Sequence, residues 1–449
     1  MDQRTDSISS SAALTRGFVR LALPFRGWGL TLQFLFMTRK QPFIVVLILG
    51  ALTTIGPFSI DMYLPGFPSI AKDLHTSVAQ VQLSLTSYFI GISVGQLLYG
   101  PLLDRYGRKR PLYIGMMVYI LASIGCVFIH SVNSLIGMRF LQAIGGCVSL
   151  VASRALVRDL FPVSETAKVF SMLMLVLAVS PMLAPTIGGY VSVAFSWHII
   201  FVILASIAAL VLFACLFFLP DGKHADPSIS LKPGPILGNF YTVLKQPQFY
   251  AYALCGSIAS AVTYAYIASS PDVFMDIFKV GERTYGWIFA CIAASIIGSS
   301  QLNRLMLKWF TSEQLVLAAL LWQLLIGTFL ILGVTNGWLG LYGLIITVFL
   351  FMAGQGFTVP NASALSIAPF SRLAGSASAL LGALQLGFGS LISALVSVFN
   401  NGTTWPMVLS LTGCSILSLI VLLLCRKKNQ KEPATISVEQ EAGRQIVEL

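Results

Sequence analysis

Charged residues are scarce in this 449-residue chain: they make up 10% of it, while 56% of the residues are hydrophobic. Soluble domains carry about 25% charged residues, so the composition excludes a soluble protein. The chain also lacks a phosphate-binding glycine loop, an H-E-x-x-H pattern and a C-x-x-C pattern, and its four histidines are scattered. Nucleotide-driven pumping and metal catalysis are therefore not expected, and we predict neither a cofactor nor a metal site.

Cysteines are few and unpaired in the sequence. All seven fall inside apolar segments, and no two of them are close together. Such spacing predicts neither a disulfide framework nor a zinc site.

Long hydrophobic runs are what the chain has instead. Twelve spans of about 20 residues would take up roughly 240 residues, which leaves short loops, two tails and one longer connector. The sequence predicts an all-α polytopic membrane protein with five parts: a leader at 1–41, a six-helix bundle at 42–219, a connector at 220–247, a second six-helix bundle at 248–425 and a tail at 426–449. The connector is rich in proline and glycine, which are poor residues for a helix interior.

Basic residues are distributed unevenly over the predicted loops. The chain has 28 Lys and Arg against 17 Asp and Glu, and these charges flank apolar blocks, so they indicate orientation in a membrane rather than nucleic-acid binding. With the N-terminus in the cytoplasm, only Lys72, Lys279 and Arg283 fall on the outer side, and Arg139 alone lies within a span. We therefore expect both termini in the cytoplasm and, for a bacterial protein, location in the inner membrane.

The leader has two interpretations. Its mixture of arginines and large apolar residues between 14 and 37 fits a basic segment on the inner leaflet. Alternatively, it is a disordered leader, or synthesis truly begins at Met37, a start that retains Arg39 and Lys40 for orientation. The second interpretation predicts that the residues before Met37 are dispensable. The tail is predicted to be solvated.

The loop between the second and third spans combines glycines, an acid and a basic run between Gly100 and Arg110. Its acid can pair with a nearby arginine or a helix terminus and act as a latch that opens and closes. The segment resembles the signature loop of the major facilitator superfamily. The gating residues that this resemblance implies are Gly100, Asp104, Arg105, Gly107 and Arg108.

Further segments narrow the resemblance to the Bcr/CflA-type drug-resistance transporters, a branch of bacterial drug:proton antiporters. The likeness runs from about Lys40 to Cys425 and is carried by five segments: 59–65, 139–146, 154–161, 180–189 and 266–271. It implies two six-helix bundles that rock about a site at the midplane and export small molecules in exchange for protons. We expect the protein to be a monomer.

The fifth span resembles the antiporter motif of the superfamily through Pro181, Pro185, Gly188 and Gly189. Prolines four residues apart free backbone carbonyls and kink the helix, while paired glycines permit close contact with another helix. The glycine usual before the second proline is Ala184 here. An ordinary kinked membrane helix is the alternative interpretation.

Asp61 and Arg139 are the predicted proton-coupling residues, because ionisable groups within a membrane are costly unless they face a watery cavity or each other. Asp61 is predicted to carry the proton and Arg139 to modulate it. The alternatives are an acid at a helix end among headgroups and, since Arg139 lies only about 6 Å inside its span, an arginine that snorkels to the outer surface.

Polar residues within the spans are candidates for contact with the transported molecule. The leading ones are Tyr88, Gln142, Tyr264, Asn361 and Asp272, with Gln96, Tyr266, Gln355 and Gln385 beside them. Two other transport functions remain open, an exporter dedicated to one endogenous product such as a siderophore or peptide, and a proton-coupled uptake symporter. An enzyme is not expected, since paired acids with a metal are lacking.

Overall fold

The structure is a computed structural model, and it describes residues 41–223, 225–227, 233–370 and 373–429. The leader, including the predicted start at Met37, lies outside the described residues, as does the tail beyond Asn429. Within the described residues, twelve helical segments are long and apolar enough to cross a membrane, which confirms the predicted all-α polytopic architecture. From Val45 onward, the described residues form one compact unit.

The first half begins with a span in three pieces. Helix α1 covers Gln41–Asp61, a short 3-10 turn covers Leu64–Gly66, and helix α2 covers Phe67–Asp73. Pro65 and Pro68, which follow the end of α1, each stand at the start of a short helix, where the missing N–H of proline costs no hydrogen bond. The helices of this half are α1 Gln41–Asp61, α2 Phe67–Asp73, α3 Val78–Tyr106, α4 Lys109–Val127, α5 Val132–Leu160, α6 Val163–Ala194 and α7 Trp197–Phe218.

The second half follows a connector that contains its own helix, α8, at Pro233–Leu244. The prolines that argued against a helix here, Pro233 and Pro235, lie in the first turn of α8, where proline is tolerated. The remaining helices are α9 Pro247–Pro271, continued by a π-helical turn Asp272–Ile277, then α10 Glu282–Met306, α11 Ser312–Thr335, α12 Leu341–Ala353, α13 Gln355–Ile367, α14 Ala374–Val398 and α15 Trp405–Asn429, with α8 at Pro233–Leu244.

Local sequence explains several helix boundaries. The side chains of Ser77, Ser131 and Ser196 accept hydrogen bonds from backbone N–H groups in the first turns of α3, α5 and α7, and Thr311 with Gln314 forms a capping box at α11. One span is broken at Gly354, between α12 and α13. A Cβ there would lie 2.5 Å from Cγ of Gln323 on α11, so only glycine permits this approach.

The two halves meet along two helix pairs. Helix α3 packs against α14, where Thr86 and Ser393 share a hydrogen bond of 2.7 Å and Ser93 donates to the Ala383 carbonyl at 3.0 Å. Helix α6 packs against α10, where the Thr186 hydroxyl donates to the Gly286 carbonyl at 3.4 Å. These pairs frame the space in which the predicted site residues lie.

Candidate functional site

Arg139 on α5 is the centre of a buried hydrogen-bond ring in the first half. Its guanidinium donates to the Ser59 carbonyl at 2.8 Å and to Oε1 of Gln142. Nε2 of Gln142 donates to Oγ of Ser123 at 2.7 Å, the Ser123 hydroxyl donates to the Tyr119 carbonyl at 2.7 Å, and the Tyr119 and Ser59 hydroxyls lie 2.5 Å apart. The ring joins α1, α4 and α5. Gln142 is bound on both sides of its amide, by Arg139 at Oε1 and by Ser123 at Nε2.

Aromatic rings enclose the same guanidinium. Cζ of Arg139 lies 4.1 Å from the ring centroid of Tyr88, 4.7 Å from that of Tyr63 and 5.8 Å from that of Phe201. The Arg139 side chain is fully buried, with 0% exposure, which excludes snorkelling in this structure. A cation held against ring faces is stabilised by about 2 kcal/mol when desolvated, and this offsets part of the cost of its burial.

Asp61 is the last residue of α1 and is 3% exposed. It lies within electrostatic range of the hydroxyl of Tyr88 in its own half and of the hydroxyls of Tyr264, Tyr266 and Tyr285 on α9 and α10. No ion pair to Asp61 is formed within the described part of the chain, so it is not paired with Arg139. Arg139 instead binds the backbone two residues before Asp61.

The glycines of the fifth span close one end of the protein. A Cβ on Gly188 would overlap the Met62 carbonyl oxygen, and one on Gly189 would lie 2.5 Å from the Glu282 carbonyl oxygen on α10. Beside them, the Ser69 hydroxyl donates to Oε1 of Glu282 at 2.6 Å. The halves therefore touch backbone to backbone just beyond Asp61.

The opposite end of the first half carries the predicted latch. Arg108 donates to Asp104 and to Asp159, both at 2.6 Å, and Oδ2 of Asp159 also accepts the Lys223 backbone N–H at 3.0 Å. Burial lowers the pKa of the Arg108 guanidinium, but the hydrogen bonds and charges of Asp159 and Asp104 raise it more, so its pKa lies above the ordinary value. Arg108 therefore stays charged and ties α3, α5 and the connector together.

Comparison with known proteins identifies the fold family. Residues 47–394 match the Major Facilitator Superfamily. The chain belongs to this superfamily. It is 32% identical over 88% of its length to the bicyclomycin resistance protein homolog of Haemophilus influenzae, covering 98% of that protein, and 30% identical over 83% of its length to the multidrug resistance protein MdtL of Shigella flexneri, covering 93% of it. The resemblance inferred from the motifs is thus confirmed.

Solved structures of major facilitator proteins share the fold at low sequence identity. The D-xylose-proton symporter superposes with a TM-score of 0.69 at 13% identity, covering 86% of this chain and 97% of the symporter. A bacterial homolog of the human lysosomal transporter Spinster, inward-facing and unoccupied, gives 0.65 at 14% identity, covering 87% of this chain and 96% of the homolog. At these identities the likeness establishes the fold alone.

The substrate candidates in this major facilitator protein do not form one cluster. Tyr88 and Gln142 contact Arg139, while Tyr264 packs edge-on against Phe89, with ring centroids 4.8 Å apart. Nδ2 of Asn361 donates to Oδ1 of Asn303 at 2.7 Å, within the second half. Their role in binding stays a prediction.

Asp272 occupies a different environment from Asp61. It begins the π-helical turn, is 8% exposed and lies within hydrogen-bonding reach of Asn400 in the loop before α15. Within the described residues no interaction joins it to Asp61, so the structure does not bring the two acids together.

Asp159 is a partner of Arg108 that sequence reasoning did not name, although its segment was part of the family likeness. A signal was present: Asp159 directly follows Arg158 at the predicted cytoplasmic end of the fourth span, where an acid beside a basic loop is a candidate partner. The sequence did not reveal that the connector returns to this point, where the Lys223 backbone N–H donates a hydrogen bond to Asp159. Gly222 is required at this point because its Cβ would lie 2.8 Å from Cγ of Arg108.

The latch predicts unequal effects of three acid-to-amide substitutions. Asp104→Asn and Asp159→Asn should each insert normally but slow or abolish transport, because each removes a partner of the buried Arg108. Asp221→Asn is the matched control: its carboxylate pairs with Lys109 at 2.7 Å but is 72% exposed, and exposed pairs contribute only about 0–1 kcal/mol. The measurement is transport rate per transporter in the membrane. Normal rates for both Asp104→Asn and Asp159→Asn would contradict the latch.

Proposed function

We propose that this chain exports small molecules across the bacterial inner membrane in exchange for protons, by alternating access of a single central site. The observation that carries the proposal is Asp61, a buried acid that forms no ion pair with a described residue and lies within electrostatic range of tyrosines of both halves. Intramembrane acids are costly and commonly serve proton or substrate pathways. The names of two relatives, a bicyclomycin resistance protein homolog and a multidrug resistance protein, support drug-like compounds as substrates.

Several finer points belong to the same proposal. The distribution of basic residues supports termini in the cytoplasm, which places the Arg108 latch at the cytoplasmic end and the close contact of α6 with α10 at the outer end. Protons and small molecules are then the partners, and a monomer suffices because both halves of the site lie in one chain. The superfamily is one of transporters, in keeping with a protein that is not an enzyme.

Inside-out membrane vesicles test both direction and coupling. Respiration acidifies their interior, and an exported compound added outside would enter in exchange for protons that leave. We expect chloramphenicol, norfloxacin or ethidium, tested as a panel, to dissipate the pH gradient in vesicles from overproducing cells and not in vesicles from cells with an empty vector. No response to the panel, together with proton-driven accumulation of a solute in right-side-out vesicles, would favour an uptake symporter.

A further inference from the structure

Gln355 lies at the middle of the broken tenth span. Helix α12 ends at Ala353 and α13 begins at Gln355, so that 13 residues of helix stand on each side of Gly354. Pro360 lies four residues after Gly356, and the Gly356 carbonyl therefore lacks the donor that it would have in a regular helix. In secondary transporters, helices that are interrupted near the midplane commonly form the substrate site. Gln355 thus lies at the depth expected of such a site.

The side chain of Gln355 is buried but unsatisfied. It is 2% exposed, and neither its Nε2 nor its Oε1 has a hydrogen-bond partner among the described residues. Buried polar groups are costly to leave without partners, and each such group in a native protein requires an explanation. A carboxamide supplies N–H donors and a carbonyl acceptor, so Gln355 keeps both kinds of group available beside the break.

Gln355 lies on the side of α13 that faces α9. Ala362, two turns further along α13, packs against α9, where a Cβ on Gly256 would lie 2.9 Å from the Cβ of Ala362. Residues seven apart share one face of a helix. The seventh and tenth spans cross the membrane in opposite directions, so going back two turns from Ala362 corresponds to going forward two turns from Gly256. This places Gln355 at the depth of Thr263 and Tyr264.

These two residues of α9 border an internal space. Within the range 255–275, every residue is buried except Thr263 and Tyr264, which are half-buried. The Tyr264 ring packs against Phe89 of the first half, with ring centroids 4.8 Å apart, so its exposed part lies between the halves rather than toward lipid. Tyr264 also lies within electrostatic range of Asp61. Gln355 and Asp61 therefore border the same central region.

We propose that Gln355 hydrogen-bonds the transported molecule, and that this molecule is uncharged and carries a hydrogen-bond donor beside an acceptor, as amides and diols do. The inference rests on the proposed function and adds the chemical class of the substrate. An uncharged molecule of this kind supplies the partners that both amide atoms of Gln355 lack. It satisfies them without bringing a charge into the interior, where an unpaired charge is strongly disfavoured.

The charges of the first half disfavour a cationic substrate. Three aromatic rings that are placed to enclose a cation already enclose the guanidinium of Arg139, and they belong to Tyr63, Tyr88 and Phe201. No described carboxylate forms an ion pair with Arg139, so its charge repels a second cation nearby. Asp61 can accept a hydrogen bond from a hydroxyl or an amide N–H of an uncharged molecule.

Chloramphenicol and its parent amine test the substrate class. Chloramphenicol is uncharged and carries a nitrophenyl ring, an amide and two hydroxyls. The amine, 2-amino-1-(4-nitrophenyl)propane-1,3-diol, keeps the ring and both hydroxyls but has an ammonium group at neutral pH in place of the amide. Binding of tritiated chloramphenicol to the purified full-length protein in detergent is measured by scintillation proximity, with the amine as competitor. We expect chloramphenicol to bind, and the amine to bind about tenfold more weakly because its charge finds no free partner ring.

Gln355→Met tests the contact itself. Methionine is an unbranched side chain of similar length that has no amide. The loss of two hydrogen bonds to an uncharged molecule should raise the Kd of chloramphenicol about tenfold. The Tm of the unliganded protein should stay the same or rise, because the change removes an unsatisfied buried amide. A residue with only a structural role would instead lower the Tm when replaced.

Gln323→Met is the matched control. Gln323 is also fully buried beside the break, where a Cβ on Gly354 would approach its Cγ. Its Nε2, however, donates to the Phe351 carbonyl at 3.3 Å, so its amide is already bound within the protein. Gln323→Met should therefore bind chloramphenicol like the parent.

The proposal is overturned if chloramphenicol does not bind, if the amine competes as well as unlabelled chloramphenicol does, or if Gln355→Met binds chloramphenicol like the parent. Equal losses of binding in Gln355→Met and Gln323→Met would also overturn it, since damage to the break would then explain both.

Failure of the proposed function gives a different result, because binding in detergent requires no proton gradient. Binding that depends on Gln355, without proton release on addition of chloramphenicol, would refute proton antiport and leave the site standing. Proton exchange driven by ethidium but not by chloramphenicol in inside-out vesicles would leave antiport standing and refute the uncharged substrate class.

Discussion

Asp61→Asn should abolish substrate-dependent proton release from the purified protein while leaving substrate binding measurable. Asparagine occupies the same space but cannot take up and release a proton. In the structure the Asp61 carboxyl is 3% exposed and forms no ion pair with a described residue. Opening of the outer end would let Asp61 take up a proton from outside, and opening of the other end would let the arriving substrate displace that proton into the cytoplasm.

The measurement is the pH change of a weakly buffered protein solution when substrate is added, compared between parent and variant. Asp272→Asn is the matched control, since Asp272 is a second buried acid in the spans but has Asn400 within reach and no described interaction with Asp61. It should release protons as the parent does. If Asp61→Asn released protons normally and Asp272→Asn did not, the coupling role would belong to Asp272.

Arg139→Ala should stop transport and lower the thermal stability of the protein. The change leaves the Ser59 carbonyl and Oε1 of Gln142 without the donor that Arg139 supplies in a buried position, and each such loss costs about 1–3 kcal/mol. It also removes the cation from three aromatic rings. We expect a decrease of several °C in Tm in detergent, together with loss of transport. A variant with the parent's Tm and rate would contradict the role of the ring.

Arg139→Lys distinguishes positioning from modulation of the proton site. Lysine keeps the charge but cannot reach the Ser59 carbonyl and Gln142 with the same fork. If Arg139 acts mainly through its charge, Arg139→Lys should keep the pH dependence of transport and Arg139→Gln should shift it to higher pH, because a nearby cation favours the ionised carboxylate. If it acts only by holding the backbone before Asp61, both variants lose activity without a shift.

Much of the site could be read from the chain because its residues belong to segments with local rules. Asp104 and Arg108 lie four residues apart at the end of α3, so a pair between them follows from helix spacing, and the structure contains it. Gly188 and Gly189 predicted a close helix contact, and a Cβ on either would strike backbone. Asp61 and Arg139 were predicted to act together because charged residues are rare within the spans. That argument does not specify which atoms of the two residues make contact.

The number of spans, the predicted orientation and the family motifs were determined by the sequence alone, since they depend on apolar run length, basic residues at span ends and local spacing. Tertiary structure decided the partners. It placed the Ser59 carbonyl, not the Asp61 carboxylate, against Arg139, and it brought the backbone N–H of Lys223 to Asp159. It also placed Arg154 on the wall of a cavity beside Arg108. The reason is physical: membrane helices are apolar toward lipid and toward each other, so their sequence pattern reveals which residues cross the bilayer but only weakly which faces meet.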